Sequence, residues 1–152
     1  MAQPGGMAIS GEDPLVTRAE VMERAHSWVV SAVPHSRRAR HRNEFGDYRT
    51  DCAGYVAMAW RLTEGTEGGP RVEVIAELSS PITKTELAAG DVLLRATGPG
   101  HVAIFEDWVD QAGNSFWGLE QRPGLGAVRR RIRYPYENSS RHYQPYRYLN
   151  IV

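Results

Sequence analysis

A thiol ahead of one apolar run and a histidine at the head of a later one are the residue types of a cysteine nucleophile and its base. Cys52, the sole cysteine, stands in Thr50-Asp51-Cys52-Ala53-Gly54-Tyr55-Val56-Ala57-Met58-Ala59-Trp60, and His101 opens Gly100-His101-Val102-Ala103-Ile104-Phe105. Thr50 or Asp51 reads as the cap of a helix over residues 52–62. Val56, Ala59 and Trp60 form its apolar stripe, and Cys52, four residues before Val56, shares that face, so the thiol points inward. Unpaired amides at the positive end of a helix dipole lower a thiol pKa, and a low-pKa Cys52 is the expectation. Ala53 and Gly54 leave room beside the sulfur, and Gly98 and Gly100 let backbone approach His101 closely.

A third group has to hold the imidazole in one tautomer. If a hairpin pairs residues 101–108 with 115–121, Glu120 comes level with His101, and strand alternation lets only one of Glu120 and Gln121 face the site. A carboxylate stabilises an imidazolium better than an amide does, which favours Glu120; a register shifted by one residue would bring Gln121 instead. Asp51, Tyr48, His35, Arg38 and Gln121 are the expected substrate contacts. Arg37, Arg38, Arg40 and Arg42 lead directly into the Cys52 segment, where guanidinium groups would line an entrance and favour an anionic ligand. The alternative for this run is a solvated loop. His35, His41 and Cys52 match no zinc spacing, so neither metal nor cofactor is expected.

The elements that must position these residues follow from local signals. Residues 1–15, rich in Gly, Pro and small polar types, read as a loose arm, and residues 16–152 as one domain. Thr17 and Glu20 make a capping-box pattern for a helix over residues 18–32, with Val21, Ala25, Trp28, Val29 and Ala32 on its core face and Pro34 ending it. Residues 35–48 read as a loop, 64–70 as a Gly-rich turn, 71–78 as a short strand and 79–89 as a loop or helical turn. Gly90-Asp91 turns into a strand over 92–95, followed by a strand from His101 to Trp108, a hairpin loop at 110–114, and a return strand over 115–121. Further strands are expected over 127–134 and 146–151. Helices first and an antiparallel meander after give an α+β fold.

With 152 residues, 41% of them apolar, the chain is long enough for a sizeable core. Its 18 basic and 18 acidic residues cancel, giving no global attraction to nucleic acid or membrane. All the basic residues but Lys84 are arginine. A lone cysteine excludes an internal disulfide. The N-terminus has neither the basic start nor the apolar stretch of a secretion signal, and no run approaches the roughly 20 apolar residues of a membrane span. The chain is then expected to be cytoplasmic, exported by another route, or excised from a secreted protein.

Asp51-Cys52-Ala53-Gly54-Tyr55-Val56, Ala89-Gly90-Asp91-Val92-Leu93 and Gly100-His101-Val102-Ala103-Ile104-Phe105 resemble, in order, the three landmarks of the NlpC-type cell-wall cysteine peptidases. Those proteins usually read Asp-Cys-Ser-Gly-Phe/Leu-Val, Pro-Gly-Asp-Leu and His-Val-Gly-Ile-Tyr, and the Cys-to-His interval is of their usual size. The His-Val-Ala-Ile-Phe-Glu strand with a later Glu also resembles the related CHAP amidases. The resemblance, over about residues 18–134, implies a papain-like fold with N-terminal helices packed on a small antiparallel sheet. It implies hydrolysis of an amide bond in peptidoglycan stem or cross-bridge peptides by Cys52, His101 and a polar third residue. The oxyanion would be held partly by the Cys52 backbone N–H. The chain departs from the pattern at His35, where the family has Tyr after Pro, at Ala53 in place of Ser, and at Glu120, where His, Asn or Gln is usual. An anionic peptide or peptidoglycan fragment is the expected partner. Two other readings remain open: an intracellular acyltransferase, deamidase or toxin-like effector using the same site, and a non-catalytic binding domain that keeps the fold.

Overall fold

The computed structural model describes residues 13–137 and 141–152. Three helices and eight strands alternate along it: α1 (Arg18–Val30), β1 (Arg40–Asn43), β2 (Gly46–Arg49), α2 (Cys52–Ala59), α3 (Val72–Glu77), β3 (Ser79–Pro81), β4 (Val92–Arg95), β5 (His101–Trp108), β6 (Ser115–Arg122), β7 (Gly126–Arg133) and β8 (Gln144–Tyr148). A 3-10 turn, Lys84–Glu86, links β3 to β4. The strands form a two-stranded β1-β2 ribbon and a six-stranded sheet in the order β3-β8-β4-β5-β6-β7, antiparallel throughout. The fold is α+β, with the helices gathered on one face of the sheet.

Burial of the sheet on both faces explains why Val92-Leu93-Leu94 and Val102-Ala103-Ile104-Phe105 read as continuous apolar runs rather than alternating ones. Val92, Leu94, Val102, Ile104 and Leu119 face the helices, packing with Trp28, Tyr55, Met58 and Trp60. Leu93, Ala103, Phe105, Phe116 and Ile132 fill the opposite face under Leu87, Tyr136 and Tyr143. Each large apolar side chain removed from water contributes about 1.5–3 kcal/mol, so the two layers together far outweigh local propensity.

Local propensity was overridden in two places. The strand expected over 71–78 is the helix α3: Val72 and Ile75, three residues apart, are its buried pair, and that helical spacing decides against the β-branched composition. The loop expected over 35–48 contains the β1-β2 ribbon, turned where the Asn43 Oδ1 accepts the Phe45 N–H at 2.8 Å. Its strands carry almost no apolar residues, so period-two patterning could not announce them. Smaller differences are that α1 ends at Val30, leaving Ala32 exposed at positive φ rather than on the core face, that α2 ends at Ala59 rather than 62, and that Ser79–Pro81, expected as loop or helical turn, is the short strand β3. Thr17 caps α1 by accepting the Glu20 N–H. The last strand, expected to close the sheet, is inserted between β3 and β4. Residues 1–12 of the expected arm lie outside the described residues. Asp13, expected within it, is held by Thr63 and Asn150.

Candidate active site

The cysteine owes its position to the cap of α2. Asp51, in an extended conformation, accepts the Gly54 N–H through Oδ1 at 2.9 Å and starts the helix at Cys52. Every residue from Ala53 to Ala59 is buried, so α2 is a central helix rather than one with a single apolar stripe. Gly54 is required for that placement: a Cβ there would collide with the Arg49 carbonyl. Arg49, itself buried, donates to Asp51 Oδ2 at 2.8 Å and to the carbonyls of Glu67, Gly69 and Pro70. This guanidinium ties the Gly-rich turn to the cap and so fixes where α2 begins.

Cys52 and His101 line one cleft of about 440 Å³ at the end of the sheet. The His101 Nε2 lies 2.7 Å from Glu120 Oε1, and Glu120 is fully buried. The β5-β6 register, with Ile104 opposite Leu119 and Phe105 opposite Gly118, puts Glu120 and His101 on the same sheet face, away from α2. Cys52 approaches from the helix face. Gln121, on that helix face, also lines the cleft and donates from Nε2 to the Val33 carbonyl at 3.1 Å. Alternation separates the pair as expected: Gln121 lines the cleft from the helix face, whereas Glu120, on the other face, meets the site through His101.

Burial tends to raise the Glu120 carboxyl, but hydrogen bonds from His101 and Tyr136 and the charges of His101 and Arg130 outweigh it and hold it below its ordinary value. An ionised carboxylate only accepts, so Nε2 of His101 carries the hydrogen and Nδ1 is the nitrogen left to take a proton. The thiol behaves differently from expectation. Burial, then the neighbouring Asp51 carboxylate, push Cys52 up to about 11, and the amides of Val102, Ala53 and Cys52 itself offset only part of this. The resting sulfur is thus a neutral thiol: desolvation outweighs the start of a short helix.

Of the expected substrate contacts, His35, Asp51 and Gln121 line the cleft. Burial lowers the His35 pKa; Asp51 opposes this, and Arg37 and His101 add to it. Tyr48 does not reach the cleft: it is buried in the core, its hydroxyl donating to the Leu62 carbonyl at 2.5 Å. Arg38 is exposed and is not a lining residue, whereas its neighbour Arg37 is. Arg40 and Arg42 sit on the β1-β2 ribbon against Asp47, which accounts for their charge without a ligand. Arg71 and Glu73 at the start of α3 line the cleft instead, and Arg71 lies 3.1 Å from Asp51. Nothing local marks Arg71, which caps the helix α3 where the sequence pattern predicts a strand. Among the described residues no group of three or more His, Cys, Asp or Glu is arranged to hold a metal, and no helix is long and apolar enough to cross a membrane.

No protein-family model and no curated protein sequence matches the chain. Among solved structures, it is similar to an NlpC/P60 family protein from Bacillus cereus ATCC 10987, with a TM-score of 0.59 and 12% sequence identity. That likeness covers 90% of this chain but only 41% of the other, so the present chain spans less than half the length of the protein it resembles. At this identity the shared property is the fold, and the fold of this chain is that of the NlpC/P60, papain-like proteins.

Proposed function

We infer that the protein is a cysteine hydrolase that cleaves a peptide amide bond, with peptidoglycan stem or cross-bridge peptides as its substrate class. The observation that carries this reading is the shared cleft of Cys52 and His101, together with the buried Glu120 carboxylate on the imidazole. The NlpC/P60-type fold supports the cell-wall assignment. Cys52 acts as nucleophile, His101 as general base and acid, and Glu120 as the group that orients the ring.

In this reading the carbonyl of the scissile amide settles over the start of α2. Because the thiol is neutral at rest, its proton passes to His101 Nδ1 as sulfur bonds to the carbonyl carbon, rather than beforehand. The negative charge that develops on the carbonyl oxygen is met by the Cys52 N–H. Collapse breaks the C–N bond, and the leaving nitrogen takes the proton from Nδ1. Water, deprotonated by His101 Nδ1, then adds to the thioester carbon; the C–S bond breaks and sulfur recovers the proton from Nδ1 as the thiol. Through both halves Glu120 faces Nε2–H and stabilises the imidazolium.

The test is incubation with purified muropeptides, read by mass spectrometry. Two new fragments whose masses sum to the substrate plus one water, lost in Cys52→Ser and His101→Ala, are expected. Intact muropeptides with every substrate tried, while an acyl acceptor becomes modified, would move the assignment to acyl transfer.

A further inference from the structure

Glu120 is surrounded by more than His101. Its Oε1 accepts from both His101 Nε2 and the Tyr136 hydroxyl, each at 2.7 Å, and its Oε2 accepts from Arg130 Nε at 2.5 Å. Arg130 comes from β7, and is itself held by Glu137 Oε2 at 2.9 Å and by Tyr136. Tyr136 packs edge-on to His101, with ring centroids 5.2 Å apart, and stacks on Tyr143 at 4.6 Å. Other ionisable groups that interact electrostatically with this cluster are Arg122 from β6 itself, Tyr55 from α2, Tyr143 with Arg95 beside it, and His35, which interacts with His101.

A fully buried carboxylate needs compensation, because removal from water favours its neutral form. His101 alone cannot supply it through a catalytic cycle, since its charge comes and goes. Arg130 is the permanent cation of the cluster. If Glu120 were protonated, its O–H could donate to Nε2, and the proton-accepting nitrogen would no longer be the one left for the thiol. Tyr136 adds the second constraint. By occupying the same oxygen from another direction, it stops the carboxylate rotating away from the ring.

We propose that Arg130 and Tyr136 are positioning residues: they keep Glu120 ionised and its Oε1 aimed at His101 Nε2, and so choose the imidazole tautomer that leaves Nδ1 as the proton acceptor. This rests on the hydrolase reading of the site for its catalytic consequence, though not for its geometry. The direction of the effect follows from the opposing influences on Glu120. Removing Arg130 leaves burial less opposed, so the carboxyl titrates at higher pH and the Nε2–H tautomer is lost on the acidic side first.

The experiment uses Cys52→Ala protein, in which no turnover is needed. The Glu120 side-chain carbon is followed by 13C NMR and the His101 ring nitrogens by 15N NMR across pH 4–8. Arg130→Met should raise the Glu120 midpoint by about one unit or more and reduce the Nε2–H population below neutral pH. Arg130→Lys, which keeps the charge, should restore most of both. Tyr136→Phe should loosen the tautomer preference with a smaller change in the midpoint. Unchanged Glu120 titration and tautomer in a folded Arg130→Met protein would overturn the proposal and leave Arg130 a packing residue. The two readings fail separately. Shifted NMR signals with muropeptides left intact would sink the hydrolase reading alone; muropeptide cleavage that needs Cys52 and His101, with unshifted signals, would sink this inference alone.

Discussion

Glu120→Gln isolates the charge of the buried carboxylate while keeping its shape. The glutamine oxygen can still accept from His101 and Tyr136, but its amide nitrogen must then face Arg130 Nε, donor against donor. The loss is therefore one charge-assisted hydrogen bond plus an unsatisfied contact, relieved because Arg130 retains Glu137 and its side chain is 25% exposed. That sums to about 2 kcal/mol, or about 4–8 °C in melting temperature for a chain of this length. The pH dependence has a definite sign. The folded Glu120 carboxyl lies below its ordinary value, so its contribution is complete above about pH 4.3 and is lost as pH falls toward the folded value. The melting difference between wild type and variant should thus be full at pH 7 and narrow below about pH 4. Calorimetry at a series of pH values reads this directly. On muropeptides, turnover should fall about ten- to a hundredfold, because the tautomer survives and only imidazolium stabilisation is lost. A variant that melts with wild type at pH 7, with no gap to close on acidification, would refute the reasoning.

Iodoacetamide should modify Cys52 slowly at pH 7, with a rate that climbs about tenfold per pH unit toward the thiol value of about 11; a plateau reached near neutrality would show a preformed thiolate. Asp51→Asn should speed that alkylation at pH 8, since it removes an anion beside the sulfur while an asparagine still caps α2; slower alkylation would count against the electrostatic account. Arg37→Gln with Arg71→Gln should raise KM for an anionic peptide and flatten its salt dependence, whereas Arg40→Gln with Arg42→Gln should not; equal effects from both pairs would return the whole basic run to the entrance. Tyr48→Phe should cost about 1 kcal/mol through the lost Leu62 hydrogen bond and leave KM unchanged, as denaturant melts and steady-state kinetics would show. Gly54→Ala should destabilise by about 3 kcal/mol in the same melts, because its methyl meets the Arg49 backbone.

Much of the scaffold was readable without coordinates. The Thr17 cap, the start of a helix at Cys52, the strand headed by His101 and the hairpin that returns with Glu120 are all written in short-range signals: caps, apolar periodicity and turn residues. Such signals depend on neighbours within a few positions, which is why one chain of letters suffices for them. The hairpin length returns Glu120 and Gln121 together to the His101 end of the sheet, but the β-bulge between Phe105 and Asp107, which no such signal announced, is what puts Glu120 rather than Gln121 on the His101 face.

What only the tertiary structure decided involves partners far apart in the chain. Whether residues 72–77 coil or extend depends on which surface buries Val72 and Ile75, and that choice carries Arg71 into the cleft. The ribbon that holds Tyr48 and Arg40 turns one inward to the core and sets the other against Asp47, so neither meets the cleft. The thiol pKa rises because the packing of α2 desolvates the sulfur, a quantity no local dipole argument contains. The Arg130–Glu120–Tyr136 cluster joins β7, β6 and the segment after β7. Side-chain types and local spacing determined which groups are present and in what order; long-range burial determined which of them meet, and in what charge state.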